Sequence, residues 1–125
     1  MKLEYLSAGS PKCPLIRLYE FNRSEAQQLR QLVKSLVIGD HEHVALQNEM
    51  WVESVSGCSL DLRVGIRDDG VRQVQPLSFE CVLSTEGWRG VEELLEPFSE
   101  SDGSGFQWLT IKGGTSLLIS ANGQW

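Results

Sequence analysis

Residues 59–83 read SLDLRVGIRDDGVRQVQPLSFECVL. Leu60, Leu62, Val64 and Ile66 alternate with Ser59, Asp61, Arg63 and Gly65, the period-two pattern of a half-buried strand. Asp68-Asp69-Gly70 follows as a turn, and Val71 to Gln75 is expected to return beside the first strand. Pro76 interrupts that run, and Phe79, Cys81 and Leu83 alternate through the next strand. The stretch sets the expectation of a β-rich middle built from local antiparallel pairs.

On its N-terminal side, Lys2 to Leu6 reads as a short strand and Ser7 to Pro14 as a loop marked by Gly9, Pro11 and Pro14. Leu15 to Phe21 is apolar on both sides except at Arg17 and Glu20, which suits an interior strand. Ser24 then opens a helix, with Gln27 completing a Ser-x-x-Gln capping box. Ala26, Leu29, Leu32, Val33, Leu36 and Val37 form its apolar stripe, and Gly39 supplies the residue past its end. His43 to Trp51 and Trp51 to Val55 give one or two further strands before a Ser56-Gly57 turn.

On the C-terminal side, Ser84 or Thr85 caps a second helix running to Phe98, with Trp88, Val91, Leu94, Leu95 and Phe98 as its buried stripe. Gly87 and Gly90 weaken its first turns by about 1 kcal/mol each relative to alanine. Pro97 and then residues 99–105 are expected to end it. Phe106 to Ile111 and Thr115 to Ala121 flank Gly113-Gly114 as a hairpin, with Trp108 facing Ile119 and Leu109 facing Leu118. The order predicts an α+β fold: a single mainly antiparallel sheet with two amphipathic helices packed on it. No repeat or linker divides residues 1–125, which read as a single domain with an expected radius of gyration of about 14 Å.

A net charge of −6 argues against tracking a phosphate backbone or an anionic membrane surface. Arg63, Arg67 and Arg72 are the nearest approach to a basic cluster, and Asp61, Asp68 and Asp69 interleave with them. No run has the length of a signal-peptide core or a membrane span. Cys13, Cys58 and Cys81 form no CxxC pair and leave an odd thiol in any disulfide scheme, so reduced thiols in the cytoplasm are expected.

Asp40-His41-Glu42-His43 is the one concentration of metal-capable side chains. In an extended segment His41 and His43 point the same way, as a two-histidine clamp requires, but a zinc site needs further ligands. A solvated loop after Gly39 accounts for the same residues, and a small metal-dependent or small-molecule enzyme built on them is the alternative reading. Cys58 and Cys81 lie in strands, where a small core side chain is the better reading than a nucleophile. No cofactor motif is present: there is no Walker loop, no strand-linked GxGxxG, no GxSxG and no HExxH.

The charge is unevenly distributed. Glu86, Glu92, Glu93, Glu96, Glu100 and Asp102 stand against Arg89 alone, which places most of the net charge in residues 86–102. Glu92 and Glu96 repel at i,i+4, and Glu96 and Glu100 sit where a helix dipole favours cations. A plain solvated face accounts for this pattern as well as a functional one. The functional reading is a non-catalytic protein that binds a basic protein partner through Glu92, Glu93, Glu96 and Glu100, with Trp125 as an exposed anchor, an inhibitor- or immunity-like role. Self-association through hairpin edges or Trp125 is a third reading.

Overall fold

The computed structural model describes residues 1–101 and 104–125. Its strands are β1 (Lys2–Leu6), β2 (Leu15–Tyr19), β3 (His43–Ala45), β4 (Glu53–Ser54), β5 (Ser59–Val64), β6 (Gly70–Gln75), β7 (Ser78–Leu83), β8 (Phe106–Thr110) and β9 (Ser116–Ser120). Helix α1 (Arg23–Ile38) follows β2, and helix α2 (Thr85–Glu100) follows β7.

The α+β class stands, but the expected single antiparallel sheet is two mixed sheets. One is ordered β4-β1-β2-β9-β8 and the other β3-β5-β7-β6. β4 runs parallel to β1, β9 parallel to β2, and β7 parallel to β5. The correction centres on residues 65–69. They do not turn β6 back onto β5. They fold over the end of β7, where the Gly65 amide donates to the Leu83 carbonyl (2.9 Å) and the Asp69 amide to the Val82 carbonyl (3.0 Å). β6 therefore lands on the far side of β7 and pairs with it antiparallel across Pro76 and Leu77. Ile66, expected in the buried row, is fully exposed in this crossover.

Several boundaries also move. α1 begins two residues earlier than the Ser24 cap implied. The Asn22 side chain accepts from the Glu25 amide (2.8 Å), and the Glu25 carboxylate accepts from the Asn22 amide (3.1 Å). This capping box takes the place of the Ser24 and Gln27 pair. Gly39 ends the helix at φ 86°, as expected. α2 is capped by Ser84 and runs past Pro97 to Glu100, because Phe98 and Ser99 in that last turn are buried. The last hairpin is wider than a two-residue turn, so Trp108 pairs with Leu118, not Ile119, and a bulge follows.

One core joins all layers. Leu3, Ile16, Leu18, Leu117 and Ile119 come from the first sheet, and Leu60, Leu62, Phe79, Cys81 and Leu83 from the second. Ala26, Leu29, Val33 and Leu36 of α1 meet Trp88, Val91, Leu95 and Phe98 of α2 in the same cluster. Tyr5 and Phe79 bring the sheets into direct contact, with ring centroids 4.6 Å apart.

At the crossover the two sheets are also joined through backbone. The Val71 amide donates to the Lys112 carbonyl (3.2 Å), and Val71 bridges to Thr115. Gly70 (φ 82°) allows this approach: a Cβ there would lie 2.1 Å from the Lys112 oxygen. Gly113 (φ 86°) does the same from the other side, 2.2 Å from the Val71 oxygen. Next to it, Asp68 Oδ1 accepts from both the Ser84 amide and the Ser84 hydroxyl at 2.8 Å, and Lys112 Nζ lies 3.9 Å from Oδ2. The hydrogen bonds from Ser84 outweigh desolvation, and with Lys112 they hold this carboxyl below its usual range. Its contribution is therefore present above an ordinary carboxylate pKa and fades as pH falls through the lowered value. Gly87, which reads in sequence as a weakness in α2, makes room for Asp68: a Cβ would meet its Oδ1 at 2.3 Å.

Gly70→Ala and Gly9→Ala separate backbone strain from the sheet junction. Both positions have positive φ, but nothing lies within 4 Å of a Cβ at Gly9. Gly9→Ala is expected to cost about 1–2 kcal/mol and Gly70→Ala about 3 kcal/mol or more, measured by urea denaturation. Equal losses would show that the close approach of Gly70 to Lys112 is unimportant.

Candidate functional site

α1 and α2 pack antiparallel, and this decides which acids of α2 remain open. The Gln27 side-chain amide donates to the Ser99 carbonyl (2.9 Å), while Arg30 and Lys34 lie one and two turns further along, opposite Glu96 and Glu92. Phe21 closes the end of the pair against Phe98, edge to face at 5.8 Å. At the other end the Trp88 indole N–H donates to the Arg63 carbonyl (2.8 Å), which fixes the rotation of α2 on the second sheet.

Glu92 is only 14% exposed, with Arg30 Nε at 2.7 Å and Lys34 Nζ at 3.8 Å. Arg30 also reaches Glu96 at 3.6 Å and donates to Ser99 Oγ at 3.3 Å. One guanidinium thus bridges the two glutamates that repel within α2, so part of the acidity that opposed local stability is answered by α1. Glu86 pairs with Arg89 in the first turn. Glu93 and Glu100 are exposed and form no ion pair among the described residues. Asp102 lies outside the described residues.

The other candidates fall elsewhere. Trp125 is 36% exposed, and Gly123, two residues before it, packs over Arg17 and Tyr19 on the outer side of the first sheet. The Arg17 guanidinium there stacks on Tyr19 at 3.9 Å and donates to the Gly123 carbonyl at 2.7 Å. His41 and His43 are both exposed, His43 at an edge of the second sheet opposite Arg63. No group of three or more metal-capable side chains occurs among the described residues. Likewise, none of the described helices is long and apolar enough to cross a membrane. The nearest thing to a basic cluster is paired off: Arg63 and Arg72 flank Glu80 at 2.8 and 3.1 Å, and Arg67 meets Asp69 at 3.2 Å.

Cys58 and Cys81 are core side chains. Burial, with a smaller effect from Glu4, pushes the Cys58 thiol up to about 11. Burial and then Asp68 push Cys81 up to about 12. Such thiols stay protonated at neutral pH and make poor nucleophiles.

A further surface lay hidden inside a stretch that reads as strand. Glu49 to Val52 form a turn between β3 and β4, held by hydrogen bonds from the Glu49 amide to the Leu46 carbonyl (3.1 Å) and from the Val52 amide to the Glu49 carbonyl (3.0 Å). Met50 stands fully exposed on this turn, while Trp51 packs partly against the core. From Trp51 an open saddle of about 710 Å³ crosses the exposed ridge of α1 at Gln27, Gln28 and Gln31 to Ser99 and Glu100. The signal in sequence was the apolar run Met50-Trp51-Val52 between Glu49 and Glu53, interrupting any alternation.

No family model, no curated protein and no solved structure matches this chain.

Thiol labelling at pH 8 checks the placement of the cysteines. Cys13, half-buried in the loop before β2, is expected to react with an aromatic disulfide reagent in the native state, with Cys58 and Cys81 reacting only on unfolding. Fast native reaction of either buried thiol would contradict their assignment to the core.

Proposed function

We propose that the protein is a non-catalytic binding protein that receives a basic protein partner on the acidic side of α2, in the manner of an inhibitor or immunity protein covering a cationic surface. The observation that carries this reading is the acidity left over after the helix pair has matched its own charges. Glu93 and Glu100 stay unpaired among the described residues, Glu96 is exposed, and the last turn of α2 holds no base. A helix dipole disfavours the Glu100 carboxylate at that end, and Glu93 has no ion pair among the described residues, so neither local nor tertiary stability accounts for these two. Carboxylates gathered on one side speed encounter with a cationic partner and penalise acidic ones. A second reading, self-association, is favoured by the exposed Phe106 and Trp125, and a mass by light scattering that rises with concentration would support it.

Capture from the native host tests the binding reading. A specifically retained basic protein should dissociate between about 0.05 and about 0.5 M salt. Combining Glu93→Gln, Glu96→Gln and Glu100→Gln should weaken its capture about tenfold. Capture that ignores both salt and these substitutions would contradict the proposal.

A further inference from the structure

The charges around Trp51 do not balance in the way those between the helices do. The saddle on one side of Trp51 is bordered by Glu49 and Glu100, with Arg30 as its base. Arg30 is committed to Glu92, Glu96 and Ser99. On the other side of Trp51 a second depression of about 370 Å³ is lined by Met1, Lys2, Glu20, Glu25, Met50 and Glu53, and there Glu25 pairs with the Met1 ammonium at 2.6 Å. Lys2 is held by Glu20 at 2.7 Å. Glu49, Glu53 and Glu100 thus surround Met50 and Trp51 with no ion pair among the described residues. The turn that presents them is also fixed: the Glu53 amide donates to the Met1 carbonyl (2.8 Å), β4 pairs with β1, and Val52 is buried beneath.

We propose that this Glu49–Glu53 turn, with the saddle it borders, is the central contact for the partner, and that it takes a protein segment carrying an arginine or lysine beside an apolar side chain. The inference rests on the binding reading above and names the chemistry of its partner. The carboxylates complement the cationic head, and half-buried Trp51, which lines both depressions, gives it an aromatic neighbour. The unbranched, polarisable Met50 side chain adapts to the apolar neighbour. Tryptophan and methionine are enriched at protein interfaces, and a turn already held by hydrogen bonds loses little freedom on binding. An acidic partner would meet three carboxylates here that form no ion pair among the described residues.

The chain has two methionines, one buried at position 1 and the other Met50. A ¹³C-methyl methionine spectrum therefore gives one resonance on the exposed turn and one buried beneath it, and the β8 amides, at the opposite edge of the sheet from β4, are the internal control. The full chain is titrated with a short peptide of alternating arginine and leucine, and separately with one of alternating glutamate and leucine, while backbone amides are followed in parallel. The expected result is a saturable shift of the Met50 methyl with the basic peptide only, leaving the β8 amides unmoved. Glu49→Gln with Glu53→Gln should weaken that binding at least about threefold, and rising salt should weaken it further. Shifts at the Glu93 and Glu100 amides with Met50 unmoved would overturn this inference while leaving the acidic helix as the binding surface. No shift at either place would overturn both, and an equal response to the acidic peptide would show a merely adhesive patch and overturn the inference.

Discussion

The Asp68 carboxylate meets the start of α2, while the Gly70–Val71 backbone two residues on meets the tip of the last hairpin. These contacts lie in a crossover that carries the chain over the end of β7, and they do two different jobs. Asp68 bonds Ser84 at the point where the second sheet gives way to α2, and so fixes where that helix begins. Gly70 and Gly113 let the Val71 and Lys112 backbones touch, which couples the second sheet to the β8–β9 hairpin of the first. With α2 placed from one side and the hairpin from the other, the interior has a single way to close. Trp88, Leu95 and Leu117 then share one core although they come from elements far apart in sequence.

Placing α2 in turn sets the charge pattern of the surface. Once Trp88 is tied to the Arg63 carbonyl, Glu92 faces α1 and meets Arg30 and Lys34, while Glu93 turns to solvent. Four acids of one helix thereby divide into two that the fold uses, Glu92 and Glu96, and two that it leaves open, Glu93 and Glu100. The antiparallel helix pair also brings Glu100 across the ridge of α1 from Glu49 and Trp51. The acidic end of α2 and the Glu49–Glu53 turn therefore border one continuous surface, and the binding proposal concerns that surface more than the helix face alone.

Local periodicity made much of this legible. Both helical stripes, the Ser84 cap, the Gly39 terminus and the alternation of β5 and β7 were readable because each depends on neighbours a few residues away. Strand pairing was not, because Asp68-Asp69-Gly70 carries the same turn chemistry whether it reverses the chain or leads it past an intervening strand. Gly87 shows the same limit: its local effect on helix propensity is unfavourable, and its reason lies in an aspartate nineteen residues away. The acidic cluster was visible as composition, but its compensation was not read. The matching four-residue spacing of Arg30–Lys34 and Glu92–Glu96 was the available signal. Met50 and Trp51 were masked by an apolar run that resembles a strand and is in fact a turn.

Native-state hydrogen exchange tests the central claim most directly, by comparing amides of Leu18, Leu62 and Cys81 in the natural chain and in Gly70→Ala. If the crossover couples both sheets, the three amides open with one shared free energy in the natural chain. In the variant, Leu62 and Cys81 of the second sheet should then open at lower free energy than Leu18 of the first. Two separate values in the natural chain, or a variant in which all three still open together, would contradict the account.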